Sequence, residues 1–193
     1  GGERAILKLY RKDRARHHAV VLRALSEALH GGTRTPRLLD CWDDLGVLVQ
    51  EWVPGAGVPE FEALGAEVTL LARLGVALAE FHQAPTTAGP PASLETHLRR
   101  ACHPGLEALR ADLPHLGPSR GALESAARAR EARLARSVRP CHGDFSPRQI
   151  FVHGALVYLV DVDGMCQGDP ALDVANFRVG LHAHLGAPGA ARA

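Results

Sequence analysis

The residues whose types and spacing could do chemistry lie together in one stretch, CHGDFSPRQIFVHGALVYLVDVDG, from Cys141 to Gly164. It sets His142-Gly143-Asp144 and Asp161-Val162-Asp163 on either side of a short apolar segment, with Gln149 between them. Asp144 follows Gly143 and precedes Pro147, so its carboxylate sits in a turn-rich segment where it can accept a proton from an attacking hydroxyl. Asp161 ends an apolar run. A carboxylate at such a strand-to-loop edge, with a second oxygen ligand nearby, suits Mg²⁺, which keeps water and phosphate oxygens in its other positions. One base and one metal-holding acid are the minimal set for moving a phosphoryl group. Each cluster alone also has a plain structural reading: an Asp after Gly caps a turn or helix, and Asp163-Gly164 is a turn signal. Two clusters flanking one hairpin at close spacing favour chemistry over capping.

The elements that must position these residues can be read from periodicity. QIFV (149–152) and LVYLV (156–160) read as short strands joined by His153-Gly154-Ala155, and a last helix starts near Pro170. Far upstream, RAILKLY (4–10) reads as a strand with Ile6, Lys8 and Tyr10 on one face and Leu7 and Leu9 on the other. Lysine occurs only at positions 8 and 12, so one inside an apolar strand is informative, although a surface lysine can also snorkel there. Residues 13–30 read as a helix, with Asp13 as N-cap and Gly31-Gly32 as the stop. PRLLDCWDDLGVLVQEWV (36–53) reads as two strands around a turn at Asp43–Gly46, and PGAGVP (54–59) punctuates the chain. Beyond it, 62–83 is helical, 86–93 is a loop, and 94–136 holds further helices broken near Pro104 and at Pro114–Pro118. The GAPGAARA tail reads as disordered. A small β-rich segment with one helix, residues 1–53, thus precedes a larger helical segment, 54–193.

Composition narrows the classes. A chain of 193 residues that is 46% hydrophobic and 22% charged is ordinary globular material. A net charge of +1 supplies no basic field for nucleic acid. Cys41, Cys102, Cys141 and Cys166 form no C-x-x-C pair, so a zinc ribbon is disfavoured, and they read as reduced thiols of a cytoplasmic protein. No run approaches the roughly 20 apolar residues of a membrane helix, so no membrane partner is expected. The first residues do not read as a signal peptide. Oligomeric state is not written in the sequence.

HGDFSPRQIFV…LVYLVDVDGMCQGDPALDVANF resembles the aminoglycoside phosphotransferase and choline-kinase-like family. Its pattern is H-G-D, four residues, Asn, a hairpin, an Asp, G-D-P and a D-hydrophobic-A run. His142, Gly143, Asp144, Asp161, Gly168-Asp169-Pro170 and Asp173 match it, and the resemblance covers nearly the whole chain. It implies an α+β, protein-kinase-like two-lobe fold with a small N-terminal nucleotide-binding lobe (1–53) and a helical catalytic lobe (54–193). It implies ATP-dependent phosphorylation of a small-molecule hydroxyl, with ATP and Mg²⁺ as cofactors. Residue by residue, Asp144 becomes the catalytic base, Asp161 the Mg²⁺ ligand and Lys8 the group holding ATP phosphates. The backbone around Gln50 and Trp52 in VLVQEWVPG would meet the adenine. Asp173 would brace the catalytic loop, His142 would anchor it, and His82 would be structural.

The sequence departs from the pattern in three places. Gln149 stands where the family has its metal-binding Asn. It offers the same carbonyl oxygen on a stem one methylene longer, so it is kept as a metal ligand. The helix position expected to carry a glutamate partner for Lys8 holds His18. Glu27 is about two turns further along, which leaves the lysine loosely held or paired with another acid such as Glu51. The chain also starts late, with two strands and a phosphate-covering loop expected upstream, so the small lobe reads as truncated and the sequence as a fragment or a degenerate domain. The tail after Asp173 has no Asp or Glu, which disfavours a polycationic antibiotic as acceptor. LVYLVDVDG also resembles the nucleophile strand of haloacid-dehalogenase-type phosphatases, but no lysine follows Asp163. A metal hydrolase using His142, Asp144 and Asp161 ranks lower still. The serious rival is a kinase-like fold that binds or regulates without catalysing.

Overall fold

The computed structural model describes residues 4–11, 14–57, 68–93, 95–96, 111, 114–133 and 137–185. Asp13, Pro104, Cys102 and the GAPGAARA tail lie outside the described residues.

Strand β1 (Ala5–Leu9) alternates as expected: Ile6 and Lys8 are half-buried, while Ala5, Leu7 and Leu9 are exposed. It pairs antiparallel with β4 (Val47–Glu51), which also pairs antiparallel with β3 (Leu38–Trp42), giving the order β1-β4-β3. The β3–β4 connection turns at Gly46, whose φ of 65° is left-handed and whose N–H bonds Asp43 O at 3.0 Å. Helix α1 (Arg14–Ala28) packs on β3 and β4. Its buried residues Ala15, His18, Ala19, Leu22 and Leu25 recur at helical spacing, so one stripe faces the sheet. The apolar positions of that stripe make it an amphipathic helix, but His18 sits in it as a polar intruder.

A second sheet runs β2-β8-β7-β5, formed by β2 (Thr33–Arg34), β5 (Ala56–Gly57), β7 (Ile150–His153) and β8 (Leu156–Leu159). Its centre is the expected hairpin, with Ile150 opposite Leu159. It draws strands from both sides of residue 53. Helix α2 (Val68–His82) buries Leu70, Leu74, Ala77, Leu78 and Phe81 at the same helical period. Together with Leu22, Leu25, Leu48, Ile150, Leu159 and Met165 they form one continuous core. Thr33, on β2, ties the second sheet to α2: its N–H reaches Glu80 Oε2 at 3.0 Å.

Helix α3 (Gly117–Arg133) follows a short 3₁₀ turn at Pro114–Leu116. Pro118 falls in its first turn, where no intrahelical donor is required. Two short strands, β6 (Arg139–Cys141) and β9 (Cys166–Gly168), pair antiparallel with Cys141 opposite Cys166. Helix α4 (Ala171–Leu185) begins beside Pro170, where Asp169 Oδ1 accepts the Ala171 N–H at 2.9 Å. No helix among the described residues is long and apolar enough to cross a membrane.

Candidate active site

The β6–β9 pairing sets the site. His142-Gly143-Asp144 leaves the end of β6, and Asp161-Val162-Asp163-Gly164 leads towards β9, so the two acidic clusters lie side by side. Their closest approach is at two glycines. Gly143 has a φ of 83°, and a Cβ on it would overlap the carbonyl oxygen of Gly164. Only glycine gives both the left-handed backbone and the missing side chain.

The His-Gly-Asp loop is braced from beneath. Asp173, fully buried in the first turn of α4, accepts the His142 N–H at Oδ2 (2.7 Å) and the Gly143 N–H at Oδ1 (2.9 Å). His82, at the end of α2, reaches the same Oδ2 at 2.9 Å. The His142 ring is fully buried, with Nε2 2.9 Å from Val160 O. Because a carbonyl only accepts, Nε2 carries the proton, and the buried Nδ1 has no hydrogen-bond partner among the described residues. His142 is therefore committed to the Val160 carbonyl, its ring buried while Asp144 is exposed, as a loop anchor would be. His82, Cys141 and Asp173 do converge, with ligand atoms within 4.8 Å of one another. The Asp173 oxygens are already engaged by backbone amides, and burial, then the nearby Asp173 charge, pushes the Cys141 thiol up to about 12. This is a brace, with its thiol protonated at neutral pH. Cys41 and Cys141 take part in no disulfide among the described residues.

Asp161 adopts φ 61° and ψ 44°, the one non-glycine residue in the left-handed region among the described residues. Such a conformation costs on the order of 1–3 kcal/mol and is held here by the following 3₁₀ turn, Val162–Gly164, closed by Met165 N–H to Val162 O at 3.0 Å. Lys8, 153 residues away in sequence, lies 2.6 Å from Asp161 Oδ1 and 3.0 Å from Asp163 Oδ2. Tyr10 donates its hydroxyl to the same Asp163 oxygen at 2.8 Å. His18 closes the group, with Nδ1 4.0 Å from Asp163 Oδ1 and its ring 4.5 Å from that of Tyr10. Burial raises the Tyr10 pKa, helped by its hydrogen bond to Asp163 and by the charges of Asp163 and Asp161, so the phenol stays a donor. Burial likewise lowers His18, more than the Asp163 charge raises it, and keeps its imidazole neutral.

Asp144 is exposed, at the open side of the loop. Gln149 Nε2 donates to Asp144 Oδ2 at 3.1 Å, and Ser146 Oγ donates to Gln149 Oε1. The hairpin fixes this geometry: Val160 N–H bonds Gln149 O at 2.9 Å, tying the two ends of the segment together. Behind it Phe145 stacks on Phe177 with centroids 5.4 Å apart, holding the loop to α4.

The expected acid for Lys8 is corrected. Glu51 binds Arg37 (Nε–Oε2 2.6 Å), and Lys8 goes instead to Asp161 and Asp163. The lysine is thus held by two carboxylates. Gln50, central to the strand pairing, has a buried side chain, opposite Ile6 on β1 and Leu38 on β3. Trp52 is half-exposed and lies under the Arg4 guanidinium, 5.6 Å from its ring centroid. Sequence reasoning missed Asp163 and Tyr10 as members of the site. The spacing of Asp163 two residues after Asp161, and Tyr10 on the Lys8 face of its strand, were the available signals.

A sequence profile described as the phosphotransferase enzyme family matches residues 1–191. Comparison with curated proteins gives no match. Among solved structures, a choline/ethanolamine kinase family protein from Mesorhizobium loti superposes with a TM-score of 0.68 at 20% identity, over 97% of this chain and 60% of its own. A macrolide 2′-phosphotransferase from Brachybacterium faecium gives 0.58 at 21% identity, over 100% of this chain and 71% of its own. An aminoglycoside phosphotransferase from Streptomyces rimosus, solved with ADP and streptomycin, gives 0.60 at 19% identity, over 96% and 74%. The fold is therefore the protein-kinase-like α+β fold, and the chain spans 60% of the length of the Mesorhizobium protein.

Proposed function

This chain belongs to the phosphotransferase enzyme family, and we propose that it transfers the γ-phosphoryl group of ATP to a hydroxyl of a small molecule. The observation that carries this reading is the 2.6 Å contact between Lys8 and Asp161. It brings a cation from the first sheet and a carboxylate from the hairpin to one point beside the His-Gly-Asp loop. That is the pairing needed to receive a phosphate chain together with its metal. The donor set fits Mg²⁺: Asp161 already holds a cation at contact distance, and the neighbouring donors are hard oxygens.

In this reading residues 1–53 supply the nucleotide lobe and 54–193 the catalytic lobe. The backbone around Gln50 and Trp52 meets the adenine, and Lys8 binds phosphate oxygens. Asp161 holds Mg²⁺, with the Gln149 carbonyl oxygen as its second protein ligand. Mg²⁺ held by these residues would supply positive charge against the charge that develops during phosphoryl transfer. Asp144 orients the acceptor hydroxyl and takes its proton as the new O–P bond forms and ADP leaves. Its hydrogen bond from Gln149 aims the carboxylate before substrate arrives. The site is cytoplasmic in this reading, and its acceptor is a sugar, an amino alcohol or another small alcohol. The structurally similar proteins include choline/ethanolamine, macrolide and aminoglycoside enzymes.

A second reading, a nucleotide-binding module without catalysis, is favoured by one observation: the Gln149 amide is engaged by Asp144 and Ser146. Calorimetry with ATP, with and without Mg²⁺, and ATP turnover against a panel of small alcohols separate the two. We expect Mg²⁺-dependent binding and turnover, with Asp144→Ala cutting turnover by about 10²–10⁴-fold while binding persists. Binding without turnover on any alcohol favours the module. No binding at all defeats both.

A further inference from the structure

We propose that Asp163 is the positioning residue for Lys8, the carboxylate that keeps the ammonium in place once Asp161 turns to metal. This deepens the kinase reading above and rests on it for its consequence, but not for its geometry.

The argument begins with the helix. Glu27 is the sole acid on α1, in its last turn and exposed, and the α1 residue that faces the site is His18. A neutral imidazole gives Lys8 no counter-charge. The counter-charge comes instead from the hairpin, through Asp161 Oδ1 at 2.6 Å and Asp163 Oδ2 at 3.0 Å.

The two carboxylates are not equivalent. Asp161 is half-exposed (50%), and among the described residues Lys8 is the one side-chain partner of its carboxylate. Asp163 is less exposed (32%) and is fixed on one oxygen by Tyr10, while its other oxygen faces His18 across 4.0 Å. An oxygen that holds a metal ion cannot also hold an ammonium at contact distance, because the two cations repel. When Asp161 takes the metal, its charge is shared with that ion and its hold on Lys8 weakens. Asp163 is the acid that can stay, and it keeps the ammonium within reach of a phosphate oxygen instead of letting a four-carbon stem swing into solvent. Tyr10, two residues from Lys8 and just past the end of β1, holds that acid through its hydroxyl.

The test uses the full chain. Asp163→Asn keeps the shape and removes the charge. We expect its affinity for Mg²⁺-ATP, by calorimetry, to fall about 10- to 100-fold, the worth of a hydrogen bond between charged partners. In steady state the nucleotide KM rises more than kcat falls. Adding His18→Glu to Asp163→Asn puts a carboxylate back from the helix side and restores affinity to within about threefold of the parent, which a merely structural loss would not allow. Unchanged affinity in Asp163→Asn overturns the proposal. So does a rise in the Mg²⁺ requirement larger than the loss in nucleotide affinity, which would make Asp163 a metal ligand. Should Asp163→Asn not fold, Tyr10→Phe takes its place, with a loss of about threefold expected and no loss counting against.

A double-mutant cycle of Lys8→Met and Asp163→Asn, read by urea unfolding without nucleotide, is independent of the kinase reading. Non-additive effects support the Lys8–Asp163 anchor even if the chain binds no ATP; additive effects overturn it even if the chain is an active kinase.

Discussion

Gly143 lies so close to Gly164 that a Cβ on it would overlap the Gly164 carbonyl oxygen, and its own φ is 83°. The two acidic clusters can adjoin only because the backbone at this crossing is bare. Gly143→Ala therefore meets two penalties, a left-handed alanine and a steric overlap with backbone that has little room to move. The first alone costs on the order of 1–3 kcal/mol. We expect a lower urea midpoint and a loss of phosphoryl transfer larger than the loss of folded protein, because relief of the overlap pushes Asp144 away from Asp161. An alanine variant as stable and as active as the parent would show that the crossing is not tight.

Asp173 gives a second prediction. It is fully buried and accepts from two backbone amides of the His-Gly-Asp loop, while His82 reaches one of the same oxygens. Asp173→Ala leaves two loop amides and the His82 ring without their partner and should cost about 1–3 kcal/mol for each buried group left unpaired. His82→Ala removes one partner of that carboxylate and should cost about 1 kcal/mol. Chemical denaturation of the three proteins checks the order. Equal losses would mean that His82 carries the brace.

The larger elements and the two clusters were legible because each is locally coded. The alternation of AILKL, the helical stripes of 14–28 and 68–82, and the apolar hairpin all sit in continuous sequence. What could not be read was made by distant pairing. Strand β6 is Arg-Pro-Cys, a poor strand by propensity, and exists because β9 lies against it. Strand β2 is two residues long and is defined by its parallel partner β8. The same holds at the site. Asp163 looks like half of an Asp-Gly turn until Lys8 on β1 and Tyr10 just past it reach it across 155 and 153 residues. Glu51 looks available to Lys8 until Arg37 is seen to occupy it. Local patterns named the chemistry; tertiary pairing decided which acid serves which cation.

Gln149 carries a third prediction. Its amide spans Ser146 and Asp144, and the proposed metal role requires its carbonyl oxygen to exchange Ser146 Oγ for Mg²⁺. Gln149→Ala should then raise the Mg²⁺ concentration for half-maximal turnover several-fold, and Gln149→Asn, with the same donor atom on a shorter stem, should recover part of it. A variant with lower kcat at an unchanged Mg²⁺ requirement would assign Gln149 to the aiming of Asp144 and away from the metal.

His18 gives the protein a pH dependence whose sign is fixed by burial. Its folded pKa is lowered from the ordinary value of 6.5, chiefly because burial disfavours the imidazolium, with Asp163 offsetting only part. The folded protein thus resists a proton that the unfolded chain accepts. Where the unfolded state binds more protons, stability rises with pH. The contribution of His18 is complete above the unfolded value of 6.5 and is lost as pH falls from there towards the lower folded value. Wild-type protein should therefore weaken between pH 7 and pH 5 more steeply than His18→Gln, which cannot ionise. Urea unfolding across that range reads the difference. Parallel curves would show that His18 takes its proton equally well in both states, and that its imidazole is not held neutral against Asp163.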